Sequence, residues 1–164
     1  MEKNGQLVRV KEPVDPYLQL AAIHLRVHEA RGPALLFENV KGSRFRAASN
    51  IFGTLERSEF IFRDSIEQVR RLIDLKLNPA AALKRPFRQL SLLPAAFNAL
   101  PKKNPWSQPV IYQPISISDL PLIHHWPMDG GAFVTLPQVY TEDPEQPGIP
   151  HSNLGMYRIQ LNGN

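Results

Sequence analysis

Proline is concentrated in one part of this sequence, and that distribution limits where long helices can form. Thirteen of the 16 prolines fall between residues 79 and 150. Proline inside a helix removes a hydrogen bond and clashes with the preceding turn. Charge changes over the same region, since residues 1–104 hold 18 Lys and Arg against 10 Asp and Glu, whereas residues 105–164 hold 1 against 5. We therefore predict two domains, 1–104 and 105–164, with a boundary within residues 101–109.

The overall composition is that of a folded protein of modest size. The 164 residues include no cysteine, which excludes disulfides and thiolate metal sites and is typical of a reducing compartment. No apolar stretch approaches the roughly 20 residues of a membrane-spanning helix, and the first residues do not form a signal peptide. We expect a cytoplasmic protein with at most peripheral membrane association.

The first domain begins with a strand, helix and strand pattern. Residues 6–10 alternate as a short strand does, and the apolar run at residues 33–42 predicts a buried strand followed by a turn. Between them, Asp15 and Pro16 are residue types that begin a helix, and Gly32 is a type that ends one.

The same domain continues with a further strand and a helix. The segment FRAASNIFGT predicts a strand that leads into a loop. Asp64 or Ser65 is the predicted cap of a helix whose apolar residues follow helical spacing: Ile66, Val69, Ile73 and Leu77. The alternation of strands and helices indicates a mixed α/β domain in which helices pack on a sheet.

Residues 105–164 are predicted to be all β. Three stretches within them are candidate strands: PVIYQPISI, AFVTLPQVY and NLGMYRIQL. Pro114 and Pro137 lie inside two of these stretches, which indicates sheet edges or bulges. Three strands with such edges do not close a sheet, so this domain is expected to need further strands or a partner.

Two basic or histidine-rich features have plain explanations. Arg70 and Arg71 lie on the outward face of the predicted amphipathic helix, where solvated charge is usual, and basic residues do not interleave with aromatic ones as in single-strand binders. His24 and His28, four residues apart, have the spacing of helical metal ligands, but no acid of matching geometry accompanies them. A solvated face is the favoured interpretation of the two arginines. An amphipathic helix that carries two histidines is the favoured interpretation of the other pair.

The segment HHWPMDGG permits a metal site or a phosphate loop, but both are weakly supported. His124 and His125 would point to opposite faces of a strand, so one packed and one exposed histidine is the favoured interpretation. Residues 128–131 lack the Gly-x-Gly pattern of a phosphate loop, and we predict a turn there.

Arg158 is the one Lys or Arg after Lys103, in a region of apolar and acidic residues. A guanidinium binds a carboxylate through two parallel hydrogen bonds, so a carboxylate site at Arg158 is one interpretation. An exposed arginine paired with Glu142 or Glu145 is equally favoured. Asn153 has an amide oxygen suited to a hard metal, although asparagine before a strand is more often a turn residue.

Four stretches together resemble the UbiD family of non-oxidative decarboxylases: GPALLFENVKG (32–42), NIFGT (50–54), DLPLIHHWPMDGGAFVT (119–135) and NLGMYRIQL (153–161). Their order and spacing match the amino-terminal part of that family and cover nearly the whole chain. The resemblance implies an α+β fold in which a mixed α/β domain precedes the beginning of a flavin-binding split β-barrel.

The resemblance also implies roles for residues near the end of the chain. Asn153 takes the position of a family metal ligand, usually for Mn²⁺, with K⁺ as a second candidate cation. Arg158 takes that of the arginine that binds the substrate carboxylate and contacts prenylated flavin mononucleotide (prFMN), and Met156 and Tyr157 take those of cofactor-lining residues. An unbroken strand would send Asn153 and Arg158 to opposite faces, so we predict a bulge or a late strand start near Gly155.

The implied activity is prFMN-dependent decarboxylation of an aromatic or α,β-unsaturated acid by a homo-oligomer, with 3-polyprenyl-4-hydroxybenzoate of ubiquinone biosynthesis as one candidate substrate. The family's remaining metal ligands and its catalytic glutamates come later than Asn164. We therefore expect a truncated chain that is inactive alone. Two alternatives stay open, namely a non-catalytic module that binds a partner through an open sheet edge and a basic nucleic-acid-binding domain.

Overall fold

The fold is that of a computed structural model, which describes residues 1–77, 106 and 114–163. The chain divides into two compact units, Met1–Arg57 with Tyr112–Asn164, and Ser58–Ile111. The predicted domain division between residues 104 and 105 lies outside the described residues and stays a prediction.

A three-stranded sheet in the order β1–β2–β3 forms the amino-terminal part of the first unit. β1 (Leu7–Val10) and β2 (Ala34–Phe37) are parallel, and β3 (Ala47–Ser49) is antiparallel to β2. α1 (Gln19–Glu29) lies in the connection between the two parallel strands, which cannot be joined by a tight turn. All three strands confirm the sequence-based predictions.

α1 begins later than the sequence predicted. The Asp15 carboxylate accepts a hydrogen bond from the Tyr17 backbone N–H (2.8 Å), and the Asp15 N–H donates to Oε1 of Gln19 (2.8 Å). Leu18 then has φ 62°, a left-handed conformation that cannot belong to a right-handed helix. The prediction that Asp15 caps the helix was wrong, because its carboxylate stabilises a turn that precedes the helix.

The core of the first unit includes residues from both of its chain segments. Six buried apolar residues form it: Val14, Leu20, Leu35, Phe37, Val40 and Ala47. Ile123 packs against this cluster from the carboxyl-terminal segment. Burial of apolar surface therefore joins the two segments, at about 25 cal/mol per Å² of surface removed from water.

Arg57 is buried in the first unit without an acidic partner among the described residues. It is 1% exposed, and its guanidinium donates to the carbonyl oxygens of Asn50 and Gly32 at 2.5 Å each and to Oε1 of Gln6 at 3.3 Å. Asn50, at φ 56°, donates its own Nδ2 to the carbonyls of Gly32 (3.1 Å) and Pro33 (3.0 Å). Together these bonds tie the end of β3 to the loop that precedes β2.

A long antiparallel ribbon occupies the carboxyl-terminal segment. It consists of β4 (Ala132–Val134), β5 (Gln138–Glu142), β6 (Ser152–Met156) and β7 (Ile159–Leu161). β4 pairs with β7 and β5 with β6, so each of the predicted strands AFVTLPQVY and NLGMYRIQL is split in two. The described end of PVIYQPISI contains no strand, and Ile117–Asp119 forms a 3-10 turn there instead.

Two further helices follow β3 in the sequence. α2 (Leu55–Ile61) was not predicted, whereas α3 (Ile66–Leu77) confirms the helix predicted from apolar spacing. Arg70 on α3 pairs with Glu67 (2.8 Å) and Glu59 (3.4 Å), as expected of solvated charge. Within the described part of the chain, no helix has both the length and the apolar character needed to cross a bilayer.

Candidate functional site

The ribbon has two arms, the first formed by β4 and β5 and the second by β6 and β7. Arg158 lies where the links between the two strands of each arm differ in length. The first arm has three residues, 135–137, between β4 and β5, whereas the second has only Tyr157 and Arg158 between β6 and β7. The extra residue makes a β-bulge in the arm that contains Pro137, which agrees with the predicted edge or bulge at this proline. The Tyr157 N–H donates to the Pro137 carbonyl at 3.1 Å, so the arms stay joined through the break.

The interruption does not occur at the predicted place. β6 begins at Ser152, and Gly155 pairs with Val139 in a regular register. The prediction of a bulge or a late strand start near Gly155 was therefore wrong. Glycine can pair in the ladder, whereas Pro137 lacks the N–H that a ladder position needs, so the break forms at the proline.

Two groups hold the guanidinium of Arg158. Its Nη2 donates to Oδ2 of Asp129 at 3.0 Å, and its Cζ lies 3.5 Å from the centre of the Phe133 ring. Phe133 pairs with Gln160, so Arg158, two residues earlier, is its diagonal neighbour across the ribbon. The side chain of Arg158 is 47% exposed and that of Asp129 is 15% exposed. The arginine is therefore held in place while nearly half of it stays open to solvent.

A glycine turn before β4 brings Asp129 to Arg158, and the predicted turn at residues 128–131 is confirmed. Gly131 has φ 152°, a conformation that favours glycine. The carbonyl of Gly130 accepts a hydrogen bond from Nε2 of Gln160 at 2.8 Å. A Cβ at Gly130 would lie 3.2 Å from that nitrogen, so a side chain there would displace Gln160. The two glycines therefore let the turn lie against β7.

Asn153 and Tyr157 form a separate cluster on the second arm. The Tyr157 ring lies over Gly155, where an added Cβ would meet Cε2 of the ring at 2.5 Å. Nδ2 of Asn153 donates to the Tyr157 hydroxyl at 3.4 Å, which leaves the amide oxygen as its cation-binding atom. Among the described residues, the structure thus brings Asn153 to Tyr157, and shows no hydrogen bond between Asn153 and Arg158. Met156 between them is 63% exposed.

His125 contributes an imidazole beside the Arg158 cluster. Its Nδ1 is buried and has no hydrogen-bond partner among the residues that the structure describes. Burial lowers the pKa of His125 and the charge of Arg158 lowers it further, while Asp129 acts in the opposite direction. His124 packs against Tyr17, with ring centres 5.1 Å apart. Both histidines are half-buried. The prediction that one of the two would be exposed was therefore wrong.

The other histidine pair is used in hydrogen bonds to the end of β3. His24 and His28 stack with ring centres 5.8 Å apart, and their Nδ1 atoms contact Ser49 Oγ (2.6 Å) and Asn50 Oδ1 (3.3 Å), respectively. Burial, followed by the charge of His28, lowers the pKa of His24. The described ranges hold no group of three or more His, Asp or Glu able to bind a metal. No such group accompanies Asn153 in that part of the chain.

A cavity of about 610 Å³ lies beside these groups. Most of its lining is apolar, and His24, Ser49, Asn50 and His125 supply polar atoms. Phe133, which stacks on Arg158, is part of its wall. The volume is that of a typical small-molecule site.

Sequence reasoning selected Arg158 as a candidate, which stays a prediction, but missed the residues that hold it. Its acidic partner is Asp129, so the predicted pairing with Glu142 or Glu145 was wrong. The signal in the sequence was weak, because an aspartate in a glycine turn before a strand lies near whichever strand pairs with it, and the pairing of β4 with β7 was not known. Phe133 carried no comparable signal, since aromatic residues are common in strands for packing alone.

Comparison with known protein families decides the assignment. The model of the 3-octaprenyl-4-hydroxybenzoate carboxy-lyase N-terminal domain matches residues 1–76, and that of the Rift-related domain of the same carboxy-lyase matches residues 99–164. The chain belongs to the UbiD family. The resemblance drawn from the four sequence stretches is confirmed.

Curated relatives of this chain are considerably longer than the chain itself. A Chlamydia pneumoniae protein, named as a subunit of 4-hydroxybenzoate decarboxylase, is 42% identical, over 94% of this chain and 26% of that protein. An uncharacterized protein of Chlamydia trachomatis is 43% identical, over 98% of this chain and 28% of that protein. The chain thus spans about a quarter of the length of these curated relatives.

Solved UbiD-class structures share the fold. The open form of the vanillic acid decarboxylase of Sedimentibacter hydroxybenzoicus matches with a TM-score of 0.68 at 25% identity, over 99% of this chain and 34% of that chain. The UbiD-class enzyme HmfF of Pelotomaculum thermopropionicum, in complex with FMN, matches with a TM-score of 0.65 at 22% identity, over 99% of this chain and 33% of that chain. An evolved dimeric HmfF in complex with prFMN matches with a TM-score of 0.59 at 24% identity, over 99% of this chain and 34% of that chain. The mixed helix and sheet architecture is therefore confirmed as UbiD-like.

Proposed function

We propose that this chain is the amino-terminal part of a prFMN-dependent, non-oxidative decarboxylase or carboxylase of aromatic or α,β-unsaturated acids. The observation that carries the proposal is the half-exposed Arg158, fixed between Asp129 and Phe133 on the ribbon. Membership of the UbiD family and the FMN and prFMN complexes of HmfF support it. On this proposal, the ribbon is the beginning of a split β-barrel.

The chemistry of the ribbon fits a flavin. A flavin combines a flat aromatic ring system with an anionic phosphate. Exposed apolar residues lie on either side of Arg158 in the sequence of the second arm: Leu154, Met156, Tyr157 and Ile159. Met156 and Tyr157 would contact the ring system, and Arg158 would bind an anionic group. When bound, prFMN would supply the electronic chemistry of carbon–carbon bond cleavage, while the protein supplies binding and orientation.

The described residues do not complete a metal site. Mn²⁺ prefers several oxygen or nitrogen ligands, and Asn153 offers one neutral oxygen. We propose Asn153 as one ligand of a site whose other ligands come from outside the described residues. The role proposed for Arg158 does not depend on that metal.

Arg158 would act on the substrate through charge and orientation. Its planar donors match the two oxygens of a carboxylate, so a bound acid would be held in one orientation. In the complete enzyme, walls that exclude water from this site would strengthen that attraction. When the carboxylate leaves as neutral carbon dioxide, its bonding electron pair stays behind and must be neutralised by a proton. The product then lacks the anionic group that Arg158 binds, so it can leave.

The first experiment is a fluorescence titration of this chain with FMN and Mn²⁺, beside Asn153→Ala and Arg158→Ala. We expect saturable binding that both substitutions weaken, with Arg26→Ala, an exposed arginine on α1, as the matched control. Binding that neither site variant changes would count against the proposal. Self-association that ignores FMN would instead favour the alternative of an interaction module.

The isolated chain is expected to show no turnover. Supplied with prFMN, Mn²⁺ and a panel of aromatic and unsaturated acids, it should release no carbon dioxide, because the proposal places the proton-donating glutamates outside it. Release above the rate of an Arg158→Ala control would show that this chain carries a complete site. A homo-oligomer and a cytoplasmic location remain proposals for the full-length protein.

A further inference from the structure

Asp129 and Phe133 constrain the same guanidinium in different ways. Oδ2 of Asp129 lies 3.0 Å from Nη2 of Arg158, and the Phe133 ring covers one face of the guanidinium at 3.5 Å. Stacking occupies a face of this planar group and leaves its in-plane N–H groups available as donors. An edge contact and a face contact together fix both the position and the plane of the guanidinium.

These contacts have two opposing consequences for an anionic ligand. An unconstrained arginine loses rotamer freedom when it binds, so an arginine that is already held binds at a smaller entropic cost. The carboxylate of Asp129, however, repels an anion that approaches Arg158. Removing the charge of Asp129 would weaken binding if positioning dominates, and would strengthen binding if charge dominates.

We propose that Asp129 is a positioning residue that presents the donors of Arg158 to a carboxylate or phosphate, with Phe133 as the second constraint. The turn that places Asp129 is itself held by Gln160, whose Nε2 donates to the Gly130 carbonyl at 2.8 Å. The low exposure of Asp129, 15% against 47% for Arg158, favours a supporting role over direct contact with ligand. The nature of the ligand rests on the proposed function.

The test is a titration of the full 164-residue chain and its variants with FMN. Asp129→Asn should weaken FMN binding about three- to tenfold, the equivalent of one newly mobile side chain, and Asp129→Glu should recover most of the loss. Phe133→Leu keeps an apolar side chain but removes the ring, and should weaken binding about two- to fivefold. Parallel titrations with riboflavin, which lacks the phosphate, and with benzoate distinguish a phosphate from a carboxylate as the recognised group.

Glu145→Gln is the matched control, because it makes the same charge change on an exposed residue of the loop between β5 and β6. It should leave FMN affinity unchanged or slightly raised. Tighter or unchanged binding by Asp129→Asn would overturn the proposal, provided that its circular dichroism spectrum matches that of the parent chain. Phe133→Leu supplies an independent test if Asp129→Asn does not fold.

A second readout separates this proposal from the proposed function. In the ligand-free chain, the Nε–H nuclear magnetic resonance signal of Arg158 should show slow guanidinium rotation, which Asp129→Asn should accelerate and Asp129→Glu should restore. If Arg158→Ala leaves FMN affinity unchanged, flavin recognition by Arg158 fails, and the Nε–H signal alone decides the positioning role. A signal that Asp129→Asn leaves unaltered would refute that role.

Discussion

Replacing Arg57 with methionine would measure what a buried guanidinium contributes to this fold. Methionine keeps most of the aliphatic stem but removes the donors that bind the carbonyls of Gly32 and Asn50. A hydrogen bond to a charged group contributes about 1.5–3 kcal/mol, and the relieved desolvation of the guanidinium offsets part of the loss of two such bonds. Both carbonyls keep a second donor, Asn50 Nδ2 at 3.1 Å and Gly53 N at 3.3 Å.

The expected cost is therefore moderate. Because no carboxylate is left behind, we expect Arg57→Met to lower the free energy of unfolding by about 1–3 kcal/mol, less than the roughly 3–5 kcal/mol of a broken buried ion pair. Arg57→Ala should cost about 3–5 kcal/mol, since truncation also leaves a cavity at a residue that is 1% exposed. Lysine should fall between the parent chain and methionine, because one ammonium reaches carbonyls but cannot form the fork.

Urea denaturation followed by tryptophan fluorescence can report this change for the first unit alone. Trp106 lies within Ser58–Ile111, so a Trp106→Phe background leaves Trp126 as the reporter in the unit that contains Arg57. Arg46→Ala is the control, since Arg46 is exposed and surface substitutions usually change stability by less than about 0.5 kcal/mol. An Arg57→Met chain as stable as this control would refute the reasoning, as would an alanine variant no weaker than the methionine one.

Two further predictions concern residues near the cavity. Gly53→Ala should lower the free energy of unfolding by about 1–3 kcal/mol. The added Cβ would lie 1.8 Å from Oδ1 of Asn50 and force that side chain off its carbonyl partners. A decrease below about 0.5 kcal/mol in the same denaturation assay would contradict this. The folded-state pKa values of His24 and His125 are lowered, so the unfolded state binds protons more readily and stability should fall as pH drops below about 6.5. Denaturation at pH 7.5 and 6.0 should show a smaller loss of unfolding free energy in a chain with both His24→Gln and His125→Gln than in the parent chain. His151→Gln, at an exposed histidine, is the control. Equal losses in the double variant and the parent would exclude these two residues as the cause.

Elements that depend on local pattern were predictable from the sequence. The parallel strands β1 and β2 follow from alternation and a short apolar run, and α3 follows from the spacing of its apolar residues. α2 also carried a local signal that was not used, since Thr54 Oγ1 accepts the Arg57 N–H at 3.2 Å in the manner of a helix cap. Such features depend on residues a few positions apart.

Features that depend on distant segments were not predictable in the same way. Arg57 resembles any helix arginine until Gly32 and Asn50, 25 and 7 residues away, present their carbonyls to it. The break in the ribbon required both arms to be compared, because three residues in one face two in the other. Asp129 became a candidate only when the pairing of β4 with β7 placed its turn beside Arg158.

Because the arms of the ribbon are unequal, the length of the segment 135–137 is constrained, whereas the amino acids that occupy it are much less so. Most surface connections accept an added or deleted residue at little cost. Here a single deletion would bring the two halves of the ribbon into one continuous register, and Arg158 would become an ordinary ladder residue that alternates with its neighbours. A random library at these three positions should therefore yield many functional substitutions and very few functional changes of length.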